Sequence, residues 1–130
     1  MPNTASGLGD LEQAIMNHLW DTPAPQADGF TVRDVHETLG ADRDIAYTTV
    51  MTVMDNLHRK GMVTRTRVGR AYHYLPAQTR EEYTASLLED ALADGGDRQH
   101  VLMHFVDRLD SSQLDALRRA LGRAEEGASR

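Results

Sequence analysis

The chain contains no cysteine, which removes disulfides, thiolate metal sites and cysteine nucleophiles together. A reducing cytosol is the compartment that fits such a composition. No stretch approaches the roughly 18 uninterrupted apolar residues of a membrane-spanning helix. The opening MPNTASGLGDL lacks both the basic and the apolar segment of an export signal. A cytoplasmic protein without membrane insertion is therefore expected. Internal repeats and low-complexity tracts are absent too, and 130 residues make one domain's worth of chain with room for an appendage. Basic residues are missing from the first quarter: residues 1–32 hold four acids and no lysine or arginine.

What is present is unevenly placed. The formal charge of −6 speaks against a wholesale nucleic-acid coat, but local patches govern binding while net charge governs solubility. Residues 33–80 hold eight bases against five acids, whereas residues 81–130 hold six against eleven. Arg59, Lys60, Arg65, Arg67 and Arg70 occur with no acid anywhere from 59 to 70. The middle of an acidic chain is basic.

Periodicity places the elements. Leu11, Ile15, Met16, Leu19 and Trp20 follow helical spacing, and Asp21-Thr22-Pro23 with Pro25 ends that first helix. Thr31 and Asp34 form a capping-box pattern ahead of Val32, Val35 and Leu39, with Gly40 as the stop of a short second helix. A third begins near Ile45, where Ala46, Val50, Val53, Met54 and Leu57 make one apolar stripe, and Gly61 closes it. Met62–Thr66 and Ala71–Leu75 read as two strands joined through Arg67-Val68-Gly69-Arg70. After Pro76, Thr79 and Glu82 cap a fourth helix that ends at Gly95-Gly96. Val101, Leu102, Phe105, Val106 and Leu109 support a fifth, and Ser111 or Ser112 caps a sixth carrying Leu114, Leu117 and Leu121. The expected fold is α+β and mostly helical: a winged helix-turn-helix domain over 9–77, a three-helix dimerisation region over 79–124, and flexible ends at 1–8 and 125–130.

That order of elements puts the third helix into a major groove by its N-terminal turns, with the hairpin against the backbone beside it. Thr48, Met51, Thr52, Asp55 and Arg59 lie opposite the apolar stripe, flanked by Tyr47 and Thr49. Threonine is a poor helix former and is wanted here for its hydroxyl, while its methyl and that of methionine can pack on a thymine methyl. Thr48, Thr49 and Thr52 are the candidate base readers. Arg59 and Lys60 at the helix end and Arg65, Arg67 and Arg70 of the hairpin are the candidate backbone contacts. Asp55 counts against the reading, because a carboxylate repels phosphate. The later helices carry more apolar stripe than they can cover alone, so Leu87, Leu88, Leu102, Phe105, Val106, Leu114, Leu117 and Leu121 are expected to meet a second copy.

AYTTVMTVMDNLHRKGMVTRTRVGRAYHYLP resembles the heart of the penicillinase (β-lactamase) repressor family, the BlaI/MecI type, with further similarity at LEQAIMNHLW and VLMHFVD. The resemblance spans roughly residues 8 to 124. By that likeness Tyr47, Thr48, Thr49, Met51 and Thr52 occupy the base-facing turns, and Arg65, Arg67, Arg70 and Tyr72 belong to the wing. It implies a homodimeric winged-helix repressor of β-lactam-resistance-type genes, bound to palindromic double-stranded DNA operators. It also implies release by a membrane-bound sensor metalloprotease, with the cleaved bond at His104-Phe105. Three residues depart from the family pattern: Thr48 where several members carry lysine, Asn56 where many carry arginine, and His104 in place of asparagine.

Other readings are weaker. Ser86, Ser111, Glu81 and Glu89 are the best candidates for catalysis, but they lie on or beside amphipathic helices and belong to no loop motif, so no enzyme is expected. His100 and His104 stand at i, i+4 without a third ligand; no metal and no cofactor is assigned. A ligand-responsive regulator of the MarR type, or a winged helix used only for protein contact, are the alternatives. Salt-sensitive binding to duplex DNA separates the last from the rest.

Overall fold

Helix α1, Asp10–Asp21, starts where the Gly9 amide donates to the Glu12 carboxylate (2.9 Å) and ends where the chain turns extended at Thr22 before Pro23. The computed structural model describes residues 7–128. Ile15, Met16 and Leu19 on α1 are buried, and Leu8, in the segment expected to be flexible, is buried with them. Leu8 stands two residues ahead of the helix and joins the same core.

Helix α2, Val32–Val35, has the expected reciprocal cap: Asp34 N–H donates to Thr31 Oγ1 (3.0 Å) and Thr31 N–H to the Asp34 carboxylate (2.8 Å). Gly40 does not end the turn that follows. Residues His36–Gly40 form a π turn, Ala41 and Asp42 continue helically, and the left-handed residue is Asp44 (φ 54°). A Cβ on Gly40 would come within 2.6 Å of the His36 ring, so this glycine serves close packing rather than termination. His36 Nε2 in turn lies 2.9 Å from the Ile45 carbonyl and ties the turn to the start of α3.

Helix α3, Tyr47–Arg59, buries Val50, Met54 and Leu57 against α1 and α2, as its stripe requires. It closes with Met62 N–H on the Leu57 carbonyl (2.9 Å) and Gly61 N–H on that of His58 (3.0 Å), Gly61 having φ 77°. This is the Schellman pattern. Strands β1, Val63–Val68, and β2, Ala71–Pro76, pair antiparallel from Val63↔Pro76 to Val68↔Ala71, leaving the two-residue turn Gly69-Arg70. Phe30 adds a one-residue third strand, exchanging hydrogen bonds with Tyr74 at 2.8 and 2.7 Å. Gly29 makes room for it, since a Cβ there would sit 2.3 Å from the Tyr74 carbonyl oxygen.

Helix α4, Arg80–Asp94, begins with the predicted Thr79/Glu82 box. Its first two turns belong to the N-terminal unit. Trp20 Nε1 donates to the Gln78 carbonyl (3.0 Å), the Trp20 and Tyr83 rings stand 5.7 Å apart, and Arg80 binds Asp21 at 2.8 Å. Tyr83 is buried, and Leu87, one of the residues expected to meet a second copy, is half-buried against this core. The first compact unit therefore runs to Leu87.

The second unit, described from Leu88 to Ala128, holds the rest of α4, α5 (Arg98–Asp107) and α6 (Ser111–Ala128). Asp97 caps α5 through the His100 amide. The cap of α6 is Asp110, not Ser111 or Ser112: Gln113 N–H donates to the Asp110 carboxylate (2.8 Å) and Asp110 N–H to the Gln113 side chain (3.0 Å). The helix continues through Glu125 to Ala128, past the expected fraying point. Neither α5 nor α6 buries any residue. Among the described residues no helix is long and apolar enough to cross a membrane.

Candidate nucleic-acid interface

The solvent face of α3 presents the predicted readers together. Tyr47, Thr48, Thr49, Met51 and Thr52 are all exposed, with Tyr47 and Met51 nearly half accessible despite their apolar bulk. Thr52 Oγ1 donates back to the Thr48 carbonyl (3.0 Å). Its proton is thus committed, and its free lone pair and methyl face outward: an acceptor for a base amino group and a surface for a thymine methyl. The His36 ring meets Tyr47 edge-on at 5.6 Å and holds the first residue of α3 in place.

The hairpin adds a second wall. Arg65↔Tyr74 and Arg67↔Tyr72 are facing pairs, so these four side chains share the sheet face turned toward α3. The Arg65 guanidinium lies 4.2 Å from the centre of the Tyr72 ring, and Tyr72 meets Tyr74 edge-on at 6.4 Å. Between helix and hairpin runs a cleft of about 460 Å³ lined by Met51, Thr52, Asp55, Arg65 and Tyr72 among others. A second of the same volume brings Arg33 of α2 beside Tyr47 and Arg70. Nothing in the sequence marks Arg33 for this cleft, because the Thr31/Asp34 pattern around it signals only a helix start.

The five bases are not equivalent. Asp55 takes Arg59 on one oxygen (2.8 Å) and Arg65 on the other (3.0 Å). The Tyr74 hydroxyl and then Asp55 raise the Arg65 guanidinium above its ordinary value. Lys60 is turned away to the Glu12 carboxylate (2.8 Å) and the Gly7 carbonyl (3.2 Å). Burial opposes the charge on Glu12, yet Lys60 and the Gly9 amide outweigh it and hold the carboxyl below its ordinary value. Arg67 and Arg70 are exposed and, among the described residues, face no acid. The run of five unopposed bases in sequence thus becomes two unopposed arginines at the hairpin tip, two sharing one carboxylate, and one lysine tied to the N-terminal segment.

A sequence profile of the penicillinase repressor family matches residues 8–123. The chain belongs to the penicillinase repressor family. Transcriptional regulator BlaI of Mycobacterium tuberculosis, in both strain CDC 1551 and strain H37Rv, is 52% identical over 123 residues, covering 92% of this chain and 86% of the relative. Solved structures resemble it more distantly. MepR, a transcription regulator of the Staphylococcus aureus multidrug efflux pump MepA, aligns over 94% of this chain and 81% of its own with 16% identity and a TM-score of 0.46. A MarR-like regulator from Thermotoga maritima aligns over 100% and 84% with 16% identity and a TM-score of 0.46. As a member of this family the chain is a transcriptional regulator and not an enzyme. Ser86, Ser111, Glu81 and Glu89 stand on α4 and α6 as helix residues. His100 and His104 share α5, and no group of three or more metal-binding side chains occurs among the described residues.

Proposed function

We propose that this member of the family is a homodimeric repressor that binds palindromic operators in double-stranded DNA. The observation that carries the reading is one continuous surface: exposed hydroxyls and methyls on α3 beside a hairpin tip bearing Arg67 and Arg70 free of internal acid partners. Hydroxyls and methyls on a helix face suit base edges, and unpaired arginines suit phosphates. The name of the mycobacterial relative, a transcriptional regulator, supports the same assignment. Dimerisation is supported by the apolar side chains left in solvent. Leu88, Leu102, Phe105, Val106 and Leu121 are exposed, Leu114 and Leu117 are half-buried, and a second copy would cover them.

Induction, in this reading, is proteolytic. His104 and Phe105 are exposed on α5, a helix with no buried residue, so unwinding it enough to enter a protease costs little. Cleavage there by a membrane-bound sensor metalloprotease would divide the apolar set and untie the two reading heads. The description of the family as penicillinase repressors supports genes of the β-lactam-resistance type as those regulated. The deciding experiment enriches duplexes from a randomised pool with the intact protein, then measures affinity against salt. A palindromic consensus and a log–log slope of several charges are expected. Thr48→Ala or Thr52→Ala should change the preference among operator variants by roughly 1–3 kcal/mol per half-site while leaving random-sequence binding nearly intact. A protein that enriches nothing and shows no salt dependence would be an interaction module instead.

A further inference from the structure

Asp55 is a carboxylate in the middle of a surface read as phosphate-binding, and both of its oxygens are occupied by arginines from different elements. Oδ2 takes Arg59, four residues on along α3, and Oδ1 takes Arg65 from β1. Arg59 remains largely solvent-exposed in this pair, whereas the Arg65 side chain is only 24% exposed. Arg65 is confined on further sides: the Tyr72 ring lies under its guanidinium at 4.2 Å, and the Tyr74 hydroxyl contributes to keeping it charged. Tyr72 and Tyr74 are on β2. One carboxylate therefore joins the recognition helix, through Arg65, to both strands of the hairpin. No other ion pair among the described residues links these elements.

Building on the DNA-binding reading above, we propose that Asp55 is a positioning residue that sets the hairpin against the recognition helix and, by occupying Arg59 and Arg65, raises the preference for operator over random duplex. Two effects follow from the geometry. A two-stranded hairpin is not rigid by itself, so its angle to α3 depends on what fastens it. With the angle fixed, Arg67 and Arg70 reach phosphate only when α3 sits in its proper register in the groove. The second effect is electrostatic: arginines paired to Asp55 release fewer counterions on contact with any duplex, and the carboxylate itself repels phosphate, so sequence-independent binding is held down. Arg65 rather than lysine is required, because a planar guanidinium can accept the Tyr72 ring on its face while donating in its plane to Asp55.

The test uses the full chain with two probes, the duplex enriched from the randomised pool by the wild-type protein and a scrambled duplex of equal length. Asp55→Asn keeps the shape and removes the charge. It should bind the scrambled duplex roughly 3- to 10-fold more tightly at low salt, with a slope steeper by ~1 per protomer as an arginine is released to phosphate, and gain nothing on the enriched duplex. The ratio of the two affinities falls. Arg65→Lys retains every charge and should lower the same ratio by weakening the enriched duplex alone, which a general loss of stability would not do selectively. Unchanged ratios in both variants would overturn the proposal while leaving DNA binding intact. Failure of the wild-type chain to enrich any duplex would overturn the reading on which it rests.

Discussion

Residues 7–87 and residues 88–128 are built from amphipathic helices of the same kind, yet every buried apolar side chain lies between Leu8 and Tyr83. In the first unit the stripe on α3 meets α1, α2 and the hairpin, and Val50, Met54 and Leu57 lose all contact with solvent. In the second, α5 and α6 carry apolar side chains at helical spacing and fully bury none of them. An amphipathic sequence makes a helix but does not say whose surface will cover it. One apolar groove of about 170 Å³ remains open between Leu88, Ala91 and Leu92 on α4 and Val101, Leu102 and Phe105 on α5. The contrast teaches that the first unit covers its own apolar stripes, whereas those of the second stay open to solvent within the single chain.

The harshest way to break that comparison is to remove the second unit's end. A chain ending at His104 keeps the whole first unit and loses α6 and the last three residues of α5. Its circular dichroism transition should survive. In sedimentation it should be monomeric, and its operator affinity should fall by roughly 10²–10⁴, the loss expected when a second reading head is no longer tethered near its half-site. A truncated chain that stayed dimeric and bound like the intact one would place the interface in the first unit and rule out cleavage at His104-Phe105 as the switch.

Next in size is a paired core substitution. Leu57→Ala empties a fully buried site and should lower unfolding stability by about 2–5 kcal/mol, independent of protein concentration. Leu102→Ala removes a side chain that is 47% exposed in the single chain, so its effect should instead appear as a weaker dimer and a concentration-dependent melting temperature. Equal, concentration-independent losses for the two would mean that the second unit covers its own stripe.

Much of the first unit was readable before the structure. Helical spacing located α1 and α3, the Thr31/Asp34 and Thr79/Glu82 boxes located two N-termini, and glycine located the hairpin turn, because each of these signals is local. What escaped was non-local or one residue wide. Phe30 makes a strand of a single residue, too short for any alternation to reveal. Gly40 looked like a stop because its role is to admit the His36 ring, which spacing alone does not announce. The charges misled in the same way. Lys60 was grouped with its neighbours in sequence, while the carboxylate that captures it lies 48 residues earlier; Asp55 was read as a liability when it fastens two arginines.

The charged residues allow a sharper division within the first unit. Arg67 is exposed and faces no acid among the described residues, so Arg67→Ala should weaken binding to operator and random duplex alike. The salt slope should drop by ~1 per lost phosphate contact, or ~2 per dimer. Lys60→Ala removes the same formal charge from the same basic run, but its ammonium is held by Glu12 and Gly7. Its salt slope should stay unchanged while its melting temperature falls. Matching slopes for the two variants would show that Lys60 leaves Glu12 to bind phosphate.

The smallest effect concerns that clamp alone. Glu12 is nearly buried, so desolvation opposes its charge, and it is the Lys60 ammonium with the Gly9 amide that brings the folded carboxyl below its ordinary value of 4.5. A depressed folded value means that the unfolded chain takes up the proton first. The clamp therefore contributes its full stability above pH 4.5 and loses it as the pH falls through that value toward the folded one. With Lys60→Ala the depression is removed while the burial stays, so this part of the acid sensitivity should disappear. The gap in unfolding free energy between wild type and Lys60→Ala should be constant from about pH 6 to 8 and close progressively below about pH 5. Denaturant titrations of both proteins across that range measure it directly. A gap that persisted undiminished to pH 3.5, or widened on acidification, would mean that Lys60 stabilises the unit by packing its methylene chain and not by holding the charge on Glu12.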